Sequence, residues 1–348
     1  MTAGGAAPAV AAPLASAESA AWSRAVADVT VVVSSHNRVG FLGGLIDALA
    51  AQREVSAEVV IVDNGSTDGT WQLLVEACAA TSLALNALRV EFHDGPAVPR
   101  NTAVSIARAP LIAFTDDDCL PTPTWLAELT AQFDADTVIV QGQTLPEPGG
   151  WAGPWGRSLK VTGPTGLYET ANLGVRRDAL LAVGGFPRDR LLSGRPFGED
   201  VLLGAAVART GGFRFTLDAL VHHRVLPATY RDFIRERRRL AGFPQLLRHV
   251  PELRRLRFLH AFLGKRRAVT DLGLLGIAAG VVVSLALWNP LGLLALLAAL
   301  PWLRVAWREA WKHPGKPRPV RALQLMVADV IGFGALLSGS VRARRVLI

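Results

Sequence analysis

The sequence predicts an α/β fold that begins with a mostly parallel, doubly wound sheet and ends with apolar helices. Three observations lead to this prediction. Short β-branched runs alternate with helix-like segments between residues 29 and 223, which is typical of a parallel sheet. Polar loops follow several of these runs at the point where each strand ends. Two long, almost uncharged stretches lie near the C-terminus.

The elements follow from the hydrophobic pattern. Val29–Val33 is a continuous β-branched run, as expected for a strand buried on both faces. Residues 142–170 are rich in Gly, Pro and Trp and are predicted to form an irregular loop or lid. The other predicted strands are Glu58–Val62, Ala87–Phe92, Leu111–Phe114, Thr137–Gln141, Thr170–Arg177, Phe213–Thr216 and Ala219–Val221, and the predicted helices are Val39–Gln52, Gly69–Ala80, Pro99–Arg108, Pro121–Phe133, Leu180–Phe186 and residues 197–209.

Charge divides the chain into an acidic front and a basic back. Residues 1–223 contain 15 Lys and Arg against 23 Asp and Glu, whereas residues 224–348 contain 22 against 6. Residues 1–28 have almost no large apolar residues and are expected to be a disordered leader. The expected domains are therefore this leader, an α/β domain at 29–223, basic amphipathic helices at 224–270 and membrane helices at 271–348.

The basic back half is expected to meet a membrane and no nucleic acid. Residues 272–303 form an uncharged stretch of 32 residues, and residues 322–341 form a second candidate span with one acid, Asp329. Residues 224–267 interleave 13 basic residues with apolar ones, which favours an anionic lipid surface. Whether 272–303 crosses once or turns back at Asn289-Pro290 stays open, because the loop at 304–321 is also basic.

Other site classes find little support. Cys78 and Cys119 are the only cysteines, so no disulfide framework or zinc spacing is present, and the count fits a reducing cytosol. No P-loop motif occurs.

Asp116, Asp117 and Asp118 are the most informative cluster. Three adjacent carboxylates repel one another and are costly to desolvate, and a divalent cation would remove that cost. The alternative is an acidic turn that caps the following helix. Ligands bind at the carboxyl ends of the strands in such sheets, and the polar loops 34–38 and 63–68 are expected there too. The cluster is therefore predicted to bind a metal and a diphosphate.

The motifs that carry chemistry occur in a fixed order. They are Val31-Val-Val-Ser-Ser-His-Asn-Arg38, Val62-Asp-Asn-Gly-Ser-Thr-Asp-Gly-Thr70, Pro99-Arg-Asn101, Phe114-Thr-Asp-Asp-Asp118, Asn172-Leu-Gly-Val-Arg-Arg177, Gly184-Gly-Phe186, Gly198-Glu-Asp200 and His222-His223. Together they resemble family 2 glycosyltransferases of the GT-A fold, a Rossmann-like architecture. The resemblance covers about residues 29–225.

The resemblance implies roles for individual residues. Asp200 would be the general base for inverting attack by an acceptor hydroxyl, and Glu199 would help to place that acceptor. Mg²⁺ or Mn²⁺ would be held by Asp116, Asp118 and either His222 or His223, where a histidine pair packed at a strand end is the alternative. The nucleotide sugar would contact Ser34, His36, Asn37, Arg38, Asp63, Arg100, Asp116 and Asp117.

The resemblance also implies a function. The chain is expected to move one sugar from a nucleotide sugar to a lipid-linked or other amphiphilic acceptor, at the cytoplasmic face of the cell membrane. Ser34 and His36 depart from the family's usual loop, which leaves the base open, and no Q-x-x-R-W motif of processive members occurs. The alternatives are a nucleotidyltransferase-like enzyme, disfavoured by the glycine-free Ser34–Arg38 loop, and a catalytically degenerate membrane scaffold.

Overall fold

The computed structural model describes residues 8–187, 197–256, 262–287, 294, 297–311 and 317–347. These residues form two compact units. Unit 1 comprises residues 8–150, 158–187 and 197–225. Unit 2 comprises residues 151–157 together with the described residues from 226 onwards.

Unit 1 is built on a nine-stranded sheet in the order β1-β4-β3-β2-β5-β8-β7-β9-β6. The strands are β1 Ala15–Glu18, β2 Val29–Ser35, β3 Ala57–Asn64, β4 Ala84–Val90, β5 Leu111–Phe114, β6 Cys119–Pro121, β7 Thr137–Pro146, β8 Leu173–Arg176 and β9 Gly212–His223. The predicted α/β class is confirmed. Strands β4, β3, β2 and β5 are parallel neighbours, as are β7 and β9, but the remaining pairs are antiparallel, so the sheet as a whole is mixed.

The helices of unit 1 cover both faces of this sheet. They are α1 Val39–Ala50, α2 Thr70–Ala80, α3 Ala97–Ile106, α4 Trp125–Thr130, α5 Arg177–Ala182 and α6 Glu199–Ala208. Along β2, Val31 and Val33 join one hydrophobic core and Val32 joins the other. The uninterrupted β-branched run is therefore buried on both faces, as the sequence predicted.

Two predicted boundaries differ because of long-range pairing. The helix expected over Pro121–Phe133 begins only at Trp125, since Cys119–Pro121 pair with β9 as strand β6. The two short strands expected after Phe213 are one strand, β9, with a register shift where Thr216 and then Leu220 face β7. Neither partner lies near in sequence, so the local pattern did not contain this information.

The structure corrects the prediction of a disordered leader over residues 1–28. Residues 15–18 form strand β1, which pairs antiparallel with β4, and Trp22 is buried. Arg108 places its guanidinium 4.1 Å from the centre of the Trp22 ring and donates a hydrogen bond to the Trp22 carbonyl at 2.8 Å. Backbone pairing and one indole therefore order a segment whose composition alone predicts disorder; residues 1–7 lie outside the described part.

Unit 2 contains helices α7 Tyr230–Arg239, α8 Phe243–His249, α9 Lys265–Leu287, α10 Leu300–Trp311 and α11 Arg318–Ala343. The expected basic helices of 224–270 are present. Their apolar side chains do not all face outwards, because Leu246, Leu247 and Leu253 are buried within the unit. Part of the expected lid, residues 151–157, also belongs to unit 2.

Two helices of unit 2 are long and apolar enough to cross a membrane, at Lys265–Ala286 and Arg318–Ala343. The second contains the predicted 322–341. The first differs from the predicted 272–303, because α9 starts earlier and ends at Leu287, while Leu300–Trp311 forms the separate helix α10. The Asn289-Pro290 break, and with it the choice between one crossing and a hairpin, lies outside the described residues.

We expect Trp22→Ala to lower the free energy of unfolding by about 3 kcal/mol, because it removes a large buried side chain from the N-terminal segment. Val26→Ala is the matched control, since Val26 is 89% exposed in the same segment. Chemical denaturation of both variants checks the expectation. A loss for Trp22→Ala no larger than that for the control would mean that residues 15–24 do not contribute to the stability of unit 1.

Candidate active site

The loops that follow β2 and β3 are tied together by Asn37. Its backbone is left-handed, with φ of 54°, a conformation that asparagine tolerates better than most residues. The Asn37 N–H donates to Ser66 Oγ at 2.8 Å, and Asn37 Oδ1 accepts from the Thr67 N–H at 2.8 Å. Asn37 does not line the adjacent cavity, so its contacts in the structure are those of a residue that fixes the loops.

A cavity of about 310 Å³ opens beside these loops, at the carboxyl ends of the parallel strands. Four of the predicted nucleotide-binding residues line it, namely Ser34, His36, Arg38 and Asp117. His36 donates from Nδ1 to the Asn64 carbonyl at 2.8 Å, and its ring lies 4.9 Å from that of Phe92. The other lining residues are Ser35, Asn64, Phe92, His93, Gly95, Pro96 and Pro99.

Asp63, one of the predicted nucleotide-sugar contacts, does not line this cavity. Its carboxylate is fully buried, accepts from the Ser66 N–H at 3.1 Å and lies 3.4 Å from Arg89 Nε. The next residue, Asn64, reaches the cavity and is fixed by two 2.8 Å hydrogen bonds with the backbone of His93. Asn64 lies within the motif that contains Asp63. The sequence of that motif does not show which of the two adjacent side chains faces the cavity.

A glycine makes this junction possible. Gly65 has φ of +68°, and a Cβ at this position would lie 2.8 Å from the Phe92 backbone nitrogen. Only glycine combines the left-handed backbone with this close approach. The Asn64-Gly65 pair therefore brings the loop after β3 against the segment that supplies Phe92 and His93.

The three adjacent aspartates point to different partners. Asp116 Oδ1 lies 2.9 Å from Arg100, and Asp117 Oδ1 accepts from Arg38 Nε at 3.2 Å. Asp118 lies 3.4 Å from His223 Nε2 and 3.8 Å from Arg38. Burial raises the pKa of Asp117 to about 7; the Arg38 charge opposes the shift, and the Asp118 charge adds to it.

Asp118 and His223 have the chemistry of a cation site. A carbonyl oxygen can only accept, so His223 carries its proton on Nδ1 and donates to the Arg224 carbonyl at 2.8 Å. When this ring is neutral, Nε2 directs its lone pair at a carboxylate oxygen of Asp118, an arrangement that is favourable when a cation lies between them. Cys119 Sγ is within 4.8 Å of the Asp118 and His223 ligand atoms, but burial raises the pKa of this thiol well above its usual range.

The register of β9 distinguishes the two histidines that the sequence left open. His223 faces Cys119 in the pairing with β6, and His222 is one residue away along the strand. Successive side chains of a strand point to opposite faces, so His222 points away from Asp118. Of the predicted metal ligands, the structure brings together Asp118 and His223, whereas Asp116 is turned towards Arg100.

Arg100 connects Asp116 to Asp200. It is 5% exposed, and its two terminal nitrogens lie 2.9 Å from Asp116 Oδ1 and 2.9 Å from Asp200 Oδ1. Its guanidinium also lies 5.4 Å from the centre of the Phe186 ring. The predicted general base and the first aspartate of the cluster are therefore held on one side chain.

The second oxygen of the Asp200 carboxylate is hydrogen-bonded by Thr170, a residue that the sequence motifs did not indicate. Thr170 Oγ1 donates to Asp200 Oδ2 at 2.9 Å. Burial raises the pKa of Asp200, and the Arg100 charge counteracts this effect. Glu199, the predicted acceptor contact, precedes Asp200 in the first turn of α6. No residue type at position 170 signals this role, because a threonine 30 residues away becomes a partner only through the fold.

Comparison with known proteins gives the following matches. The sequence pattern of glycosyl transferase family 2 matches residues 30–186. The succinoglycan biosynthesis protein ExoU of Rhizobium meliloti is 35% identical over 115 residues, which cover 32% of this chain and 33% of that protein. The UDP-Glc:alpha-D-GlcNAc-diphosphoundecaprenol beta-1,3-glucosyltransferase WfaP of Escherichia coli is 26% identical over 90 residues, which cover 26% of this chain and 35% of that protein.

A solved structure has the same fold. The mannosyltransferase PcManGT from Pyrobaculum calidifontis, in complex with GDP-Man and Mn²⁺, has a TM-score of 0.54 and is 19% identical, covering 90% of this chain and 87% of its own. At this identity the likeness shows the fold alone, and it agrees with the expected GT-A architecture. The chain spans about one third of the length of the curated relatives named above.

The raised pKa of Asp117 makes a prediction about stability. The folded state holds this proton up to about pH 7, whereas the unfolded chain releases it near the ordinary value of 3.8, so wild-type stability falls as the pH rises from 5 to 8. Asp117→Asn lacks this titration. We expect the variant to gain on the order of 2 kcal/mol relative to the wild type over that range. Chemical denaturation at pH 5 and pH 8 in EDTA measures the difference, and a gap that does not widen contradicts it.

Proposed function

We propose that this chain is a family 2 glycosyl transferase, the family whose sequence pattern matches residues 30–186, and that it transfers one sugar from a nucleotide-sugar donor to a hydroxyl group of a lipid-linked acceptor. The observation that carries the proposal is that Arg100 holds Asp116 and Asp200 together, while its chain neighbour Pro99 and the neighbouring Asp117 line the cavity at the strand ends. A leaving-group site and a proton acceptor must lie close together for a single displacement. The configuration at the anomeric carbon would be inverted in that displacement.

The cavity supports the donor assignment. Its volume of about 310 Å³ lies at the lower end of the range typical of ligand pockets. His36 and Phe92 supply aromatic surface for a base, and Arg38 supplies a cation for the phosphates. The identity of the base would be set by hydrogen bonds to its edge, for which Asn64 is the amide at the cavity wall.

Asp118 and His223 would hold a divalent cation, with Asp116 as a further carboxylate at the same strand end. When bound, Mg²⁺ or Mn²⁺ would stabilise the negative charge that grows on the departing nucleoside diphosphate. Arg38 lies within 3.8 Å of Asp118 and adds positive charge on the cavity side. The chain thus supplies carboxylate oxygens that would ligate a divalent cation and a guanidinium that would contact the phosphates.

Asp200 would accept the proton of the acceptor hydroxyl. The new bond from that oxygen to the anomeric carbon forms while the bond from the anomeric carbon to the diphosphate oxygen breaks, and the proton remains on the Asp200 carboxylate. Thr170 and Arg100 fix the two oxygens of this carboxylate, which orients it. Glu199 would contact the acceptor from the adjacent position of α6.

The acceptor is proposed to be lipid-linked, at the cytoplasmic face of a membrane. Two helices of the chain are long and apolar enough to cross a bilayer, and the region between 224 and 267 is strongly basic. The relative WfaP is named for an acceptor with a diphosphoundecaprenol group. A membrane-bound acceptor and a nucleotide sugar from the cytosol are consistent with these features.

Asp200→Asn tests the base. We expect it to lower kcat by a factor of roughly 10² to 10⁴, because general-base catalysis contributes about this much. Glu199→Gln is the matched control, an amide substitution at the neighbouring carboxylate, and is expected to raise KM more than it lowers kcat. Single-turnover transfer to a membrane extract supplies the rate, and donor binding checks that the fold is intact. Turnover of Asp200→Asn close to that of the wild type would refute the assignment.

The two histidines test the metal. We expect Mn²⁺ to raise the melting temperature of the wild type in the presence of a nucleoside diphosphate, with His223→Ala losing this increase and His222→Ala keeping it. The physical reason is that only His223 directs a ring nitrogen at Asp118. A panel of uridine, guanosine, adenosine and thymidine diphosphates in this assay also identifies the base. Equal Mn²⁺ responses of the two variants, or transfer that persists in EDTA, would contradict the metal assignment.

A further inference from the structure

Arg321 is a buried cation with nothing to pair with in the described part of the chain. It is the fourth residue of α11, its relative exposure is 0%, and none of its three guanidinium nitrogens has a hydrogen-bond partner. Its guanidinium lies 4.4 Å from the centre of the Trp155 ring. This cation–π contact is made without any hydrogen-bond acceptor for the N–H donors of the group.

The surroundings of Arg321 are aromatic. Trp155 is itself packed against Tyr230 and Phe233 of α7, with ring centres 5.0 Å and 4.9 Å apart. On the other side of this stack, Arg237 lies 4.5 Å from the centre of the Phe233 ring and has an unpartnered, buried Nε. We call Trp155, Tyr230, Phe233, Arg237 and Arg321 the aromatic–arginine cluster.

Three carboxylates in the described part of unit 2 have other partners. Asp329 accepts from Trp302 Nε1 at 3.1 Å and lies 3.9 Å from Arg267, and Asp271 lies 2.6 Å from Arg267. Glu236 lies 2.6 Å from Arg157. Burying an ionised group without a counter-charge is costly. An anion bound from outside the chain would offset this cost for Arg321.

We propose that the aromatic–arginine cluster binds the phosphate group of a membrane lipid, with Arg321 as its principal contact. A guanidinium presents parallel N–H donors that match two oxygens of a phosphate, and this pairing is stronger than a neutral hydrogen bond. Arg321 lies near the start of Arg318–Ala343, a helix long enough to cross a bilayer. The end of a helix that crosses a bilayer lies at the depth of the lipid headgroups. The aromatic rings suit the same interface because they combine an apolar body with polar edges.

Two lipids carry this chemistry, and they differ in source. One is a bulk phospholipid, whose phosphodiester would anchor the chain. The other is a prenyl diphosphate, the head of a lipid-linked acceptor; only this second assignment rests on the function proposed above. Phosphate binding itself requires no glycosyl transfer.

Binding of defined lipids to the full chain in detergent tests the proposal. The probes are farnesyl diphosphate, dioleoylphosphatidylglycerol, farnesol and inorganic phosphate, measured by isothermal titration calorimetry without any nucleotide sugar. We expect at least one phosphate lipid to bind and farnesol not to bind. Arg321→Gln is expected to weaken that binding about tenfold or more, because a hydrogen-bonded ion pair is lost. Arg308→Gln, at an exposed arginine of α10, is the charge-matched control and should bind within twofold of the wild type.

The pattern of binding identifies the source. Preference for farnesyl diphosphate supports the acceptor lipid, and preference for dioleoylphosphatidylglycerol supports a bulk phospholipid. Inorganic phosphate that binds as tightly as either lipid would overturn a lipid site. The proposal is also overturned if no phosphate lipid binds, or if Arg321→Gln binds as the wild type does.

A structural role for Arg321 is separated by stability without lipid. Because Arg321 is unpaired, Arg321→Gln is expected to unfold at the same temperature as the wild type or at a higher one, whereas a residue that only holds helices together would lower it. If Arg321→Gln does not fold, Arg321→Lys decides, because it keeps the charge and loses the planar donor pair. Affinity of Arg321→Lys equal to that of the wild type would overturn the proposal. Failure of sugar transfer in a separate assay would not affect these results.

Discussion

The interaction on which the candidate site depends is the buried contact of Arg100 with two carboxylates. A guanidinium that is 5% exposed is costly to bury without counter-charges, and Asp116 and Asp200 supply them from the loop after β5 and from helix α6. The dependence is mutual. Without Arg100, two carboxylates would face each other across the same space, and burial would favour protonation of Asp200, which is incompatible with the role of base proposed for it.

The sequence predicted this site to the extent that the site is local. An uninterrupted β-branched run predicts a strand buried on both faces, and the turn-rich Asp63–Asp68 loop predicts a strand end, so the position of the site at one sheet edge followed. Which side chain faces the cavity did not follow, because Asp63 and Asn64 differ by one strand position and are exchanged by a one-residue change of register. Contacts such as Arg100 with Asp200 join residues 100 positions apart, and no periodicity encodes them.

The histidine pair illustrates the same limit. His222 and His223 are chemically identical candidates, and the alternation of a strand guarantees that only one of them faces Asp118. The choice was made by the antiparallel pairing of β9 with the three-residue strand β6, which sets Cys119 opposite His223. That short strand was predicted as the start of a helix, so the sequence pattern described least well the element that selects the candidate ligand. The N-terminal segment was misjudged for a related reason, since its order comes from pairing with β4.

Two ionisable residues of the apolar helix α11 in unit 2 differ in their hydrogen-bond partners. Asp329 and Arg321 are both buried in α11, two helical turns apart. Asp329 is satisfied, because Trp302 donates to it and Arg267 lies close by, so it joins three helices of the unit. Arg321 has aromatic neighbours but no acceptor among the described residues. If polar groups in this helix served packing alone, both would be expected to have partners within the chain. Among the described residues only Asp329 does, and this difference supports the proposed contact of Arg321 with a lipid phosphate near the start of the helix.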